Sequence, residues 1–132
     1  MEKMSAKTNA LNWFEIPVTE TARAKKFYET ILDIKMETNE MMGMEMTSFP
    51  FDMQSNSGKV SGTLVKGPMH KPSMDGAVIY LNANPAIQTV IDRIEKAGGK
   101  ILMPKTLISQ QIGYMAFFTD TEGNRMALHA GN

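Results

Sequence analysis

The stretch LNWFEIPVTETARAKKFYETIL, residues 11–32, carries the first decisive pattern of the chain. Its opening residues alternate, with Phe14, Ile16 and Val18 on one side and Trp13, Glu15 and Pro17 on the other, as in a strand with one buried face. Pro17 marks the end of that strand or an edge position, because proline offers no N–H to a ladder. Thr19 to Thr21 supply hydroxyls and a carboxylate suited to a helix start. Ala24, Phe27, Tyr28 and Ile31 then recur at i, i+3, i+4 and i+7, which predicts a helix with one apolar stripe. Asp33 and the β-branched Ile34 end it.

Further along, the pattern returns. In AVIYLNANPAIQTVIDRIEKAGG, residues 77–99, a short apolar strand leads to Asn84-Pro85, with the proline expected near the first helical position. Ile87, Val90, Ile91 and Ile94 repeat the stripe 63 positions after the first, and Gly98-Gly99 closes the helix. Short alternating segments follow each helix. Residues 35–65 read as three strands in a meander, broken at Asn39, Gly43, Pro50 and Gly58. Residues 100–104, 113–119 and 124–130 read as three more, the last preceded by the turn Asp120-Thr121-Glu122-Gly123-Asn124. Residues 67–76, GPMHKPSMDG, read as a hinge loop from their glycines and prolines. The chain is therefore expected to be one α+β domain over residues 1–132, built as two βαβββ modules at about 11–66 and 76–130. A four-stranded sheet with one helix buries only one of its faces. Two such modules are expected to form a curved, half-open barrel around a cleft.

Composition narrows the function. With 132 residues and 14.7 kDa the chain fits one domain. Fourteen basic and fourteen acidic residues give a formal net charge of zero, which removes the electrostatic attraction a nucleic-acid binder or a membrane-surface protein relies on. No cysteine is present, so disulfides, thiolate metal sites and a cysteine nucleophile are excluded. The polar N-terminus lacks the apolar run of a signal peptide, and a soluble, cytoplasmic protein is expected. Of thirteen methionines, Met36, Met41, Met42, Met44, Met46 and Met53 crowd one stretch, read as a hairpin with one buried face or as a pliable wall for an apolar partner. No phosphate-binding glycine loop, dinucleotide fingerprint or serine nucleophile elbow occurs.

The segments WFEIPVTETARAKKFYETIL, VIYLNANP, AGGKIL and FFTDTEGNRMALHA together resemble the glyoxalase, bleomycin-resistance and extradiol-dioxygenase (vicinal oxygen chelate) superfamily. The resemblance covers residues 11–130, and its most specific pieces are the D-x-E-G-N turn and the Phe27-Tyr28 pair. It implies paired βαβββ modules, in agreement with the repeat. It also implies, for catalytic members, a divalent metal held by His, Glu or Gln from the first and last strands of each module, and commonly a homodimer. In this sequence those positions carry Trp13, Gly62 (or Thr63), Val78 (or Ala77) and Ala127, none a strong metal ligand.

The residues left to line a cleft follow from strand parity. Arg125, Ala127 and His129 share one face of the last strand, with Met126 and Leu128 turned to the core. Glu15 shares parity with Trp13, and Tyr80 and Asn82 with Val78. Glu15 and His129 are the candidates for displaced metal ligands or an acid–base pair, with a salt bridge as the structural alternative. His70, in the hinge loop, is expected in solvent. Trp13, Glu15, Tyr80, Asn82, Tyr114, Arg125 and His129 form the candidate ligand-binding set, Tyr114 and Phe117 are expected to face Tyr80 and Asn82 from another strand, and residues 105–112 are read as a polar loop suited to a lid. Binding of a small molecule without metal is the leading expectation, with no cofactor. The alternative is a metal-dependent lyase, isomerase or dioxygenase-type enzyme with displaced ligands.

Overall fold

The computed structural model describes residues 2–54 and 59–132, so Gly58, one of the expected strand breakers, lies outside the described residues. The first half comprises β1 (Trp13–Pro17), α1 (Thr21–Leu32), β2 (Glu37–Met41), β3 (Met44–Ser48) and β4 (Ser61–Lys66). The second comprises β5 (Tyr80–Asn82), α2 (Ile87–Ala97), β6 (Lys100–Ser109), β7 (Gly113–Thr119) and β8 (Arg125–Ala130). The sheets have equivalent orders, β1-β4-β3-β2 and β5-β8-β7-β6, and in each the first strand runs parallel to the last. The fold is α+β, two βαβββ units.

Both helical stripes are buried as their spacing predicts: Ala24, Phe27, Tyr28 and Ile31 on α1, and Ile87, Val90, Ile91 and Ile94 on α2. They join Ile16, Leu64, Phe118 and Leu128 in one core shared by the two halves. The helices pack on each other, and among the described residues no strand of one sheet packs directly on a strand of the other. The sheets therefore do not close into a barrel. Packing α1 against α2 lets one stripe serve two sheets: the Phe27 ring of α1 lies 6.1 Å from Phe118 of β7.

Several local expectations change. The helix-start residues 19–21 provide no side-chain cap for α1, and neither does Ala86, the residue that precedes α2. Helix α2 begins at Ile87, two residues beyond the Asn84-Pro85 bond, which is cis, and the Ile87 N–H donates to the Asn132 carbonyl at 2.9 Å. Strand β6 runs through Pro104 to Ser109, so most of the expected lid is a strand. Its register shifts on both sides of this proline, and β6 lies at a sheet edge, where a missing N–H is tolerated. The Met-rich stretch does form a hairpin, turning at Met42 and Gly43, whose φ values of 55° and 76° suit a two-residue loop. Only Met36 is buried there; β2 is exposed along its length.

The D-x-E-G-N turn between β7 and β8 clasps the first half. Asp120, 5% exposed, accepts a 2.6 Å hydrogen bond from the Tyr28 hydroxyl and others from the Glu122 and Asn124 N–H groups. Burial pushes the Tyr28 phenol well above its usual pKa, and the neighbouring Asp120 charge adds to the shift. Glu122 accepts from the Thr19 and Glu20 N–H groups, both at 2.9 Å, and from Arg23 Nε at 2.7 Å. It thereby places an anion at the start of α1, where the helix dipole favours one. Asn124 donates to the Pro17 carbonyl at 2.7 Å and accepts from the Ser73 N–H at 3.1 Å, tying β1 and the hinge to the same turn. Burial works against ionisation of Glu122, but the bonds from Arg23, Glu20 and Thr19 together outweigh it and lower its pKa from 4.5 to about 2.

Because the folded-state value is the lower one, the Glu122 contribution is complete above the unfolded value of 4.5 and disappears as pH falls toward 2. Urea midpoints measured across that acid range should fall less steeply for Glu122→Gln than for the parent chain. At neutral pH the same substitution should cost about 1–3 kcal/mol, the size of a charge-assisted hydrogen-bond set. Tyr28→Phe removes the hydroxyl facing the buried Asp120 carboxylate, and a loss of about 1–3 kcal/mol is expected in the same assay.

Candidate functional site

The largest cleft, about 950 Å³, lies at the seam of the modules. Trp13 and Ser61 reach it from the paired strands β1 and β4, and Phe49 and Pro50 from the segment after β3. The second half contributes residues 77–82 and Asn84, along the open edge of β5. Trp13 and Tyr80 are large rings left 43% and 49% exposed there. Neither exposure is needed for packing, since the core is complete behind them. Phe14 and Phe49, with centroids 5.4 Å apart, form an apolar wall, and the Phe49 ring is buried against Tyr28 at 5.8 Å.

Tyr80 is held by an edge contact with Phe117, centroids 6.0 Å apart, as parity predicts across the Tyr80–Ala127–Phe117 register. Asn82 Oδ1 accepts from both the main-chain and side-chain N–H groups of Asn84, at 2.9 and 2.8 Å. Asn84 Oδ1 in turn accepts from Gly131, so this amide pair is fixed by β5 and the residues after β8. Next to the cleft, Tyr80, Asn82 and His129 share a smaller recess of about 300 Å³. Trp13, Tyr80, Asn82 and His129 thus gather in one region.

The other predicted residues go elsewhere. Glu15 and His129 are not brought together. Glu15 Oε1 pairs with His70 Nε2 at 2.7 Å, whereas His129 Nε2 bonds the Ile112 carbonyl at 2.7 Å. His70 is therefore not the solvated side chain expected of its loop; it is 17% exposed and ties the hinge to β1. Arg125 lies beside Glu15 in a separate recess of about 200 Å³, with Nη2 donating to the Gly76 carbonyl at 2.6 Å. Tyr114 falls on the face of β7 that carries Ala116 and Phe118, packed against the core with Lys105 Nζ 4.3 Å from its ring centroid. It is turned away from the face that holds Phe117. Ser61 and Asn84 were missed by the reading of the sequence. The parallel register Trp13–Ser61 and the Asn84 hydrogen bonds to Asn82 and Gly131 hold them there, and neither leaves a mark in residue order.

The positions at which relatives hold a metal do not suit one. Trp13 and Ala127 offer no lone pair of use, and Val78 is aliphatic. Gly62 sits opposite Phe14 on the helix-facing side, where an added Cβ would meet the Phe14 carbonyl oxygen at 2.3 Å. Thr63 is the alternative at that position; it is fully buried and its hydroxyl donates to the Leu64 carbonyl at 3.0 Å. Among the described residues no cluster of three or more His, Asp, Glu or Cys side chains converges as a metal would require. Neither the inherited positions nor a displaced set fits the family's ion.

Comparison with known proteins agrees with this architecture. The family model for the Glyoxalase/Bleomycin resistance protein/Dioxygenase superfamily matches residues 10–128. A glyoxylase-like domain-containing protein of Didymella fabae is 28% identical over 89% of this chain and 91% of its own length. Among solved structures, a glyoxylase/bleomycin resistance protein/dioxygenase domain from a Frankia species superposes with a TM-score of 0.68 at 14% identity, over 96% of this chain and all of its own. An antibiotic-binding protein from a Streptomyces species does so with a TM-score of 0.65 at 17% identity, over 97% of this chain and all of its own. At such identities the two structures are alike in fold alone. With a family match across nearly the whole chain and the paired βαβββ sheets to go with it, this chain belongs to the glyoxalase/bleomycin resistance/dioxygenase superfamily.

Proposed function

We propose that this chain binds a small organic molecule in the Trp13–Tyr80 cleft and does so without the divalent metal of the catalytic members. The observation that carries this reading is the pair of half-exposed aromatic rings, one from each module, beside Ser61, Asn82 and Asn84. Apolar walls with a few fixed polar groups are the usual make-up of a small-molecule site, and about 950 Å³ lies at the upper end of the usual size. Binding needs only shape and hydrogen bonds, whereas the family's chemistry needs an ion that the residues present do not suit. The antibiotic-binding Streptomyces protein of the same fold lends support by analogy. Under this reading Trp13, Tyr80 and Asn82 are the ligand-facing residues, His129 borders the adjoining recess with its Nε2 on the Ile112 carbonyl, and Glu15, Arg125 and Tyr114 serve structure.

The proposal includes a cytoplasmic homodimer. Among the described residues no helix is long and apolar enough to cross a membrane. The β6–β7 hairpin leaves Leu102, Leu107, Ile108 and Ile112 between 40% and 54% exposed, a run of apolar surface that suits burial against a second copy. Sedimentation is expected to return twice the 14.7 kDa chain mass; a monomer at all accessible concentrations would remove this part.

Trp13 is the only tryptophan, so its emission reports on the cleft directly. A screen of small aromatic compounds should yield saturable changes in that emission. Tyr80→Ala should weaken any such binding by about tenfold or more, the loss of one aromatic contact and its buried area. Protein expressed in medium supplemented with zinc, manganese, nickel and iron should carry far less than one metal per chain. A stoichiometric ion lost on Glu15→Gln or His129→Ala would instead establish the metal-dependent enzyme with displaced ligands.

A further inference from the structure

We propose that the ligand of the Trp13–Tyr80 cleft is an uncharged, flat, unsaturated molecule with a carbonyl-type acceptor, and that the cleft rejects ionised analogues; this deepens, and rests on, the reading of that cleft as a binding site. Among the described residues its lining contains no carboxylate, ammonium, guanidinium or imidazole. Among the described residues, polar side-chain capacity is confined to the Trp13 indole N–H, the Ser61 and Tyr80 hydroxyls and the Asn82 and Asn84 amides.

An ionised ligand entering such a cleft gives up hydration and gains no counter-charge, a loss that neutral hydrogen-bonding groups do not repay. Lys35 opens into an adjoining recess with Trp13 and Phe49, where Glu37 opposes it, and the recess that shares Ala77 and Ile79 holds Lys71 and Arg125 together with Glu15 and Asp75. A formal net charge of zero also leaves no long-range field to draw an ion in. The polar groups set the ligand's own polarity. Asn82 Oδ1 and the Asn84 side-chain nitrogen are spent on each other, and Asn84 Oδ1 is taken by Gly131. The Asn82 nitrogen, the second side-chain N–H of Asn84 and the Trp13 indole N–H are left, all of which only donate and call for an acceptor on the ligand, while the Tyr80 hydroxyl can take either role. The flat shape follows from Trp13 and Tyr80, whose exposed ring surfaces favour a stacked or edge-packed aromatic partner.

The test compares fluorenone carboxamide with fluorenone carboxylate, which share a ring system and differ in one charge. Each is titrated into the intact chain, with Trp13 emission corrected for absorbance and equilibrium dialysis as a second readout. The amide is expected to bind one molecule per chain, and the carboxylate about tenfold or more weaker. Leu11→Lys places an ammonium at a rim position that is 51% exposed in the parent chain, and it should move the carboxylate-to-amide affinity ratio about tenfold toward the carboxylate. Ala77→Lys, at a second exposed rim position, should do the same and guards against a folding defect in the first variant. Carboxylate binding as tight as the amide, or a preference unmoved by both lysines, would overturn the inference and leave the cleft as a binding site. Failure of both probes to bind the parent chain would overturn the site and the inference together.

Discussion

Two carboxylates in one five-residue turn hold this molecule together. Asp120 is buried and carries the Tyr28 hydroxyl at 2.6 Å; Glu122 receives the start of α1 and the Arg23 guanidinium. Both belong to the second module and both bind the first. A buried carboxylate survives only where donors surround it, and for this pair they come from α1, the loop before it and the turn itself. Asn124 extends the same clasp to the end of β1 and to the hinge. Since, among the described residues, the strands of the two sheets do not pair or pack on each other, the relative placement of the halves rests on this turn and on the α1–α2 contact.

That constraint positions the cleft. Fixing β1 against the β7–β8 turn leaves the far end of β1, with Trp13, across from the open edge of β5, with Tyr80. Apolar side chains that would be satisfied inside a closed barrel instead border a gap at the module seam. The gap's chemistry is thus inherited from strand edges, which explains why it is rich in rings and aliphatics and poor in charge. The same arrangement sends Glu15 and Arg125 toward the hinge, where His70 and the Gly76 carbonyl take them.

The superfamily's fold is preserved here, while Trp13, Gly62, Val78 and Ala127 stand at the strand positions that the resemblance assigns to an ion's ligands. Trp13 fills a ligand position with an indole that can stack, and Gly62 is required by the close approach of Phe14. These replacements convert strand positions used elsewhere for coordination into surfaces for packing. A binding protein and an enzyme can share one scaffold because the scaffold supplies a hollow and the side chains decide its use.

The period-2 run of residues 13–18, the two helical stripes and the glycine stop at residues 98–99 were legible because each depends only on neighbours along the chain. Burial confirms every member of both stripes. The parity of β8 was equally legible, but of Tyr114 and Phe117, both expected to face Tyr80, only Phe117 does so, because the two lie on opposite faces of β7. What residue order left undetermined was decided by register and by contacts far apart in sequence. Glu15 found His70 rather than His129, Pro104 stayed within a strand because β6 is an edge, and Asn84 and Ser61 entered the cleft through a turn and a parallel pairing. Local periodicity specifies which face of an element is apolar, but the partner across that face is chosen by the packing of the whole chain.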